Sequence, residues 1–230
     1  IVIGTHPIFI GQNVTAEACT FNTTKGPIYI GDGAEVMEGC NLRGPLAVCS
    51  NVVLKMGAKI YGDTTIGPGC KVGGEVSNTI FFGNSNKAHG GFIGNSVIGE
   101  WCNLGAATNC SNLKNTYGFV SVWNYALGGI ENTGLQFHGI IMGDHAMCGI
   151  NTMFNTGTVM GLCASVFGSG YQSKFIADFT WGGTEGTTDH HIEKAIKTIE
   201  RVYERRKLKL SDKEILMLKF VFKQTEKLRI

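Results

Sequence analysis

His89 is the residue of this chain best suited to chemistry. It stands in Asn86-Lys87-Ala88-His89-Gly90-Gly91, between two stretches of regular repeat. An imidazole with an ordinary pKa of about 6.5 is largely neutral near pH 7 and can take a proton from a substrate. A histidine in such a loop can equally be a hydrogen-bonded turn residue, and position alone leaves both readings open. Glu75, in Gly73-Gly74-Glu75-Val76, could orient the imidazole or meet a cationic ligand group, or be a solvated corner carboxylate. Asn103, Asn112, Lys114 and Asn115 gather further along. Asparagine is a common corner residue because it tolerates left-handed backbone, whereas Lys114 suits a phosphate.

The other histidines and the cysteines offer less. His145, in Met142-Gly143-Asp144-His145-Ala146, takes an outward repeat position and reads as a surface residue or the lining of a groove. His190 and His191 open a helical segment and read as solvated. Cys40, Cys70, Cys102, Cys110 and Cys148 fall on inward repeat positions and read as small hydrophobes. There is no Cys-x-x-Cys pair, and the spacing of His and Cys gives no convergent metal set.

What must position these residues is a six-residue repeat. Ile30, Val36, Leu42, Val48, Leu54, Ile60, Ile66 and Val72 stand at unbroken six-residue intervals. Four places after each comes a small or apolar residue: Ala34, Cys40, Leu46, Val52, Ala58, Thr64, Cys70 and Val76. A rung of this kind supplies one short strand and one corner, cannot bury its apolar side alone, and must stack into a parallel β-helix. The first block runs over 1–76, with an inserted loop near Asn22 to Gly26, and Ser77 to Gly91 breaks the phase. Regular rungs resume over 92–110. A second interruption, Ser111 to about Gln136, carries Tyr117, Trp123 and Tyr125, which read as loop anchors. The repeat restarts at Met142, Cys148, Phe154, Met160 and Val166.

After Gly183 the composition turns charged and helix-favouring. Ile192, Ala195, Ile196, Ile199, Val202 and Tyr203 form one helical stripe. Ser211-Asp212-Lys213-Glu214 has the form of a capping box opening a second helix, to about Leu228. The expected division is therefore a β-helix over 1–183 and a helical tail over 184–230. The second helix carries more apolar residues than a solitary surface helix needs, which favours packing on the coil wall or on another subunit.

Composition narrows the partners. The 230 residues carry a formal net charge of only +2 with dispersed cations, which argues against nucleic acid as a partner. No apolar run approaches the roughly 18 residues of a membrane span, and the cysteine pattern fits a reducing cytoplasm. The chain opens at Ile1 with the repeat already running at Ile3-Gly4, so an excised C-terminal part of a longer protein is expected.

The run Asn86 to Gly99, followed by Asn103-Leu104-Gly105-Ala106-Ala107-Thr108 and Asn112, resembles the acetyltransferase domain of the bifunctional glucosamine-1-phosphate N-acetyltransferase and N-acetylglucosamine-1-phosphate uridyltransferase family, in its archaeal and Bacteroidetes-type forms. The resemblance covers nearly the whole chain as a repeat and about thirty residues as a specific motif. It implies a left-handed parallel β-helix with a C-terminal helical tail, a homotrimer with sites between subunits, and acetyl-CoA as substrate with no permanently bound cofactor. It also implies a nucleotidyltransferase domain N-terminal to this chain, the only part that would use Mg2+. Residue by residue it makes His89 the general base, Asn103 a sugar contact, and Ala106 and Asn112 coenzyme contacts. Lys114 joins Asn112 as a coenzyme candidate, and Asp144 and Leu162 correspond by coil register to further coenzyme contacts.

Two departures stand out. The family's tyrosine three residues after the base is Phe92 here, and the Arg and Lys that hold the sugar phosphate land near Tyr61 and Thr79. Other cations must then hold a phosphate, with Lys55, Lys59, Lys71 and Lys87 as candidates, or the substrate differs. The resemblance implies acetylation of glucosamine-1-phosphate, in the UDP-N-acetylglucosamine pathway. Acetylation of another amino sugar is one alternative. The other is a β-helix that only trimerises or regulates a sugar-1-phosphate nucleotidyltransferase.

Overall fold

A computed structural model describes residues 1–229. Every third hexad stacks on its predecessor one coil below. Ile30, Val48 and Ile66 are in parallel register, as are Val36, Leu54 and Val72. Three hexads thus make one coil of a left-handed parallel β-helix with three faces. The first face comprises Val2–Ile3, Thr20–Asn22, Asn41–Arg43, Lys59–Ile60, Glu75–Ser77 and Phe92–Gly94. Asn109–Cys110 and Met153–Phe154 continue it above. The second face runs from Ile8–Ile10 up to Phe175–Ile176, and the third from Thr15–Ala16 up to Ser165–Val166. All eight aliphatic hexad residues and seven of their small partners are buried in one apolar core, and the eighth partner, Thr64, is buried as well. The inward cysteines lie there too, with desolvation pushing the thiols of Cys70, Cys102 and Cys110 up to about 12.

Ser77 to Gly91 is not an excursion. It carries the strands Ile80–Phe81 and Asn86–Lys87 in full register with the coil beneath. The phase breaks because corners are short: Val72 to Glu75 leaves only Gly73 and Gly74 between strands, where Leu54 to Lys59 leaves four residues. Ser111 to Gln136 is a true excursion, holding the antiparallel hairpin Ser121–Asn124 and Gly129–Asn132. Trp123 stacks on Phe175 at 4.1 Å, and Tyr125 meets the same ring edge-on at 5.7 Å, so these two anchor the hairpin. Tyr117 stays exposed.

The second-to-third corner explains the tail. Its left-handed position is filled in the lower coils by Asn13, Gly33, Asn51, Gly69 and Asn84, the residues for which positive φ costs least. In the upper coils the same position is Trp101 (φ 60°), His145 (φ 57°), Cys163 (φ 54°) and Phe179 (φ 55°). Three of these, Trp101, Cys163 and Phe179, form a buried cluster with Ala195, Ile196, Ile199 and Tyr203 of helix α1 (Ile192–Glu204) and Leu218 of helix α2 (Asp212–Gln224). Burial of these rings offsets the backbone cost. The Ser211/Glu214 capping box forms as read. The helical part begins at Ile192 rather than Thr184, because Thr180–Gly183 and Gly186–Asp189 make a hairpin that closes the third face. Leu216, Met217 and Phe220 of α2 remain exposed.

Candidate functional site

His89 lies on the third-to-first corner, between strands Asn86–Lys87 and Phe92–Gly94, with its side chain in solvent. Below it is the short Gly73–Gly74 corner, and above it the Gly105 to Ala107 corner, joined by Ala107 N–H donating to the Gly90 carbonyl at 3.0 Å. Gly91 makes this stacking possible: at φ +113° it turns the chain, and any Cβ there would run into the Thr108 carbonyl. On the third-face side of the edge, Lys71, Asn86 and Asn103 stack in register, and Asn86 Nδ2 donates to Asn103 Oδ1 at 2.8 Å. On the first-face side Lys59, Glu75 and Phe92 stack, and Phe92 N–H donates to Asn109 Oδ1 at 2.8 Å. The edge therefore presents an imidazole, a carboxylate and an asparagine pair around one convex turn. His89, Glu75, Phe92, Asn103 and Ala106 come together there.

Lys87 does not belong with them as a ligand contact, which corrects its assignment to the substrate. Its side chain points into the core and is 1 % exposed. The Nζ donates to the Gly73 and His89 carbonyls, each at 2.9 Å. The two residues missing from the Gly73–Gly74 corner leave interior space, and the lysine fills it. Desolvation lowers its pKa to about 8. The ammonium is thus a strut that fixes the backbone of the His89 corner from inside. The signal was present in the sequence: Phe81, Lys87 and Ile93 keep the six-residue spacing of inward residues.

The remaining candidates lie on other edges. Asn112 and Lys114 follow the first face, at the first-to-second corner, where Asn112 Nδ2 donates to Asn95 Oδ1 at 2.7 Å. The Lys114 ammonium donates to the Phe119 carbonyl. Lys174, not singled out from the sequence, has its pKa lowered by burial and by the nearby Lys114 charge, so two cations share this corner. Asp144 and Leu162, the further coenzyme candidates by coil register, lie on the second-to-third corner, a different edge from Ala106. Asp144 Oδ1 accepts from Glu100 N–H at 2.7 Å, and Leu162 packs against the tail cluster. One solenoid keeps its three edges apart, so these three groups cannot touch one small ligand within a single chain.

Two histidines also differ from their reading. His190 is buried, with Nδ1 3.0 Å from the Cys163 carbonyl. His145 is covered by the tail, 6.1 Å from the Tyr203 ring, and its buried Nδ1 has no hydrogen-bond partner among the described residues. Desolvation lowers its pKa to about 4, against partial opposition from Asp144 and Glu214. Unfolded, it would protonate near 6.5, so between about 6.5 and 4 the unfolded chain binds a proton the folded chain does not, and stability falls as pH falls. Trp101, 4.4 Å from Tyr203 in this contact, is expected to report loosening of the tail by fluorescence over that window. His145→Asn, which tolerates the left-handed backbone, should flatten the transition.

Among the described residues no group of three or more His, Cys, Asp or Glu side chains could hold a metal ion, and no helix is long and apolar enough to cross a membrane.

A hexapeptide β-helix with a histidine on one edge is the class these features define. No family model matches the chain. Its sequence resembles part of the bifunctional protein GlmU. It is 32% identical over 118 residues to that protein from Methanocaldococcus jannaschii, covering 51% of this chain and 26% of the relative. It is also 32% identical to that of Wigglesworthia glossinidia brevipalpis, covering 46% of this chain and 25% of the relative. The chain thus spans about a quarter of the length of the curated relatives it matches. Among solved structures it is similar to the polysialic acid O-acetyltransferase OatWY, at 15% identity and TM-score 0.46, over 82% of this chain and 86% of that one. It is also similar to LpxA, a UDP-N-acetylglucosamine acyltransferase from Bacteroides fragilis, at 15% identity and TM-score 0.41, over 82% of this chain and 71% of that one.

Proposed function

We propose that this chain is an amino-sugar N-acetyltransferase that moves the acetyl group of acetyl-CoA onto the amine of glucosamine-1-phosphate, giving N-acetylglucosamine-1-phosphate. The observation that carries the reading is the His89 corner: an exposed imidazole on a turn held from within by Lys87 and flanked by Glu75 and Asn103. His89 takes a proton from the substrate ammonium, and the freed amine attacks the thioester carbonyl. Backbone N–H groups of the stacked corners stabilise the oxyanion. The adduct nitrogen passes its surplus proton to the coenzyme sulfur as the carbon–sulfur bond breaks, so the neutral amide and the free thiol leave, and the proton on His89 passes to solvent. Asn103 positions the sugar and Ala106 lies beside the coenzyme. No covalent acyl-enzyme is needed.

The separation of the edges supports a homotrimer, in which one copy lends its Asn112 and Lys114 edge to the His89 edge of the next. Phe9, Tyr29, Ile80 and Ile141, all exposed along the second face, supply apolar surface for such contacts. A nucleotidyltransferase upstream of this chain, in the cytoplasm, completes the proposal. A thiol-release assay with acetyl-CoA and glucosamine-1-phosphate tests it. Turnover is expected. No turnover with any amino-sugar phosphate or nucleotide-linked amino sugar would leave a scaffold role. Mixing His89→Ala with Lys114→Ala chains tests the shared site: restored activity is expected from mixed trimers, and none if each chain works alone.

A further inference from the structure

Twelve of the twenty Lys and Arg residues lie in 184–230, and three of them face an exposed indole. A groove of about 530 Å³ runs between the hairpin that closes the third face and helix α1, lined by Trp181, Thr188, Asp189, Lys194, Lys197 and Arg201. Helical spacing sorts the side chains of α1. Ala195, Ile196, Ile199 and Tyr203 enter the buried cluster, so Lys194, Lys197 and Arg201, at i, i+3 and i+7, share the face turned to the groove. They cover about 10 Å of helix axis at a rise of about 1.5 Å per residue. None of the three has a carboxylate within ion-pair distance among the described residues, and two neighbouring carboxylates are committed elsewhere: Glu193 to Lys219 at 3.1 Å, and Asp189 to Arg229 at 3.3 Å.

Trp181 forms the other wall. Strand alternation turns it outward between the buried Thr180 and Gly182, opposite Thr188 in the hairpin register. Its indole stays 44 % exposed, although Phe167 meets it edge-on at 5.4 Å and the buried His190 ring leans on it at 4.9 Å. A packing role would bury this ring, and a solubility role would be met by the cations alone. A ligand that uses both carries a planar aromatic part and a string of anionic groups. A nucleoside di- or triphosphate has that form: the base stacks on the indole and the phosphates meet Lys194, Lys197 and Arg201. Asp189, whose Oδ1 is paired with Arg229, keeps Oδ2 to accept from a ribose hydroxyl. The volume suits one such molecule, within the range of about 300–1,000 Å³ usual for ligand sites. The groove also lies off the path taken by the coenzyme in the acetyltransferase reading. His89 and Ala106 are on the third-to-first edge, whereas Trp181 stands next to the second-to-third corner residue Phe179, four strands above Asn86 on the third face. At a strand spacing of about 4.8 Å that is about 19 Å.

The geometry points to a separate nucleotide site on the tail, in which the groove between Trp181 and the Lys194, Lys197 and Arg201 face of α1 binds a nucleoside di- or triphosphate. The site stands whether or not the chain transfers acetyl groups. The test is titration of the full chain with ATP and UTP, read by calorimetry and by quenching of tryptophan fluorescence, with adenosine and inorganic tripolyphosphate as partial ligands. Both nucleotides are expected to bind and quench, and each partial ligand to bind at least tenfold more weakly. Lys194→Gln/Lys197→Gln/Arg201→Gln keeps helix-favouring residues at exposed positions, so it should unfold at the wild-type temperature while Kd for ATP rises at least tenfold. Trp181→Leu should remove most of the quenching and weaken ATP several-fold, with tripolyphosphate binding unchanged. Trp101 and Trp123, packed on Tyr203 and Phe175, supply a constant background. Tripolyphosphate binding as tight as ATP would reduce the groove to an anion patch and overturn the nucleoside assignment. A groove saturated by acetyl-CoA in place of ATP would belong to the coenzyme path and overturn the separate site. Absence of nucleotide binding in the wild type, or binding that the triple variant leaves untouched, overturns the proposal outright.

Discussion

Replacing His89 by alanine is expected to lower kcat for acetyl transfer by about 10²- to 10⁴-fold, the range that a positioned general base supplies. The substitution is clean because of what the structure assigns to each part of the residue. The Lys87 strut holds the His89 carbonyl, which alanine keeps, while the imidazole is exposed. Stability should therefore change by no more than about 0.5 kcal/mol, the range of ordinary surface substitutions. The KM for acetyl-CoA should hold, since Ala106 and the neighbouring corner are untouched. A variant that keeps the wild-type rate would move the base elsewhere, and Glu75, one strand away on the same edge, would be the group to test next.

The hexads made the fold legible. Each of Ile30, Val48 and Ile66 was assigned inward by spacing alone, and the three stack in register because an aliphatic residue six places on turns one face further round a three-faced coil. The His89 edge was legible for a similar reason: Asn86 to Ala106 is one uninterrupted coil, so sequence distance translates directly into height. Asp144 and Leu162 lie on a different edge from Ala106 because edge identity accumulates over coils, and the coils are not equal. Ile66 stacks on Phe81, fifteen residues on, and Val76 on Ile93, seventeen on, and the excursion after Ser111 adds further chain. His145 and His190 were misread because their burial comes from the tail folding back over one corner, and nothing local to either histidine encodes that contact. Lys87 was misread for a different reason. Lysine is almost never fully buried, so the surface prior outweighed a spacing that pointed inward.

That buried lysine supplies the second large effect. Lys87→Ala removes a side chain that fills the space left by the two-residue Gly73–Gly74 corner, and it leaves the Gly73 and His89 carbonyls without their ammonium donor. A core cavity and two unpaired buried acceptors together cost about 3–5 kcal/mol. For a chain of this size that is a fall in Tm of about 10 °C, at roughly 2–4 °C per kcal/mol. Lys87→Met separates packing from charge: it keeps the volume but cannot donate. It should fold, and it should lose kcat by about tenfold with KM nearly constant, because the His89 turn is no longer held in one geometry. The pH dependence identifies the ammonium. The folded chain gives up the Lys87 proton near pH 8, whereas the unfolded chain holds it to about 10.5. Between those values the unfolded state binds more protons, so the wild type gains stability relative to Lys87→Met as pH rises. Below about 8 both states are charged and the full desolvation cost is present. Subtracting the Lys87→Met profile cancels the other titrating groups. A flat difference curve would mean that the ammonium is solvated, and the strut would then have to be abandoned as the reason His89 stands where it does.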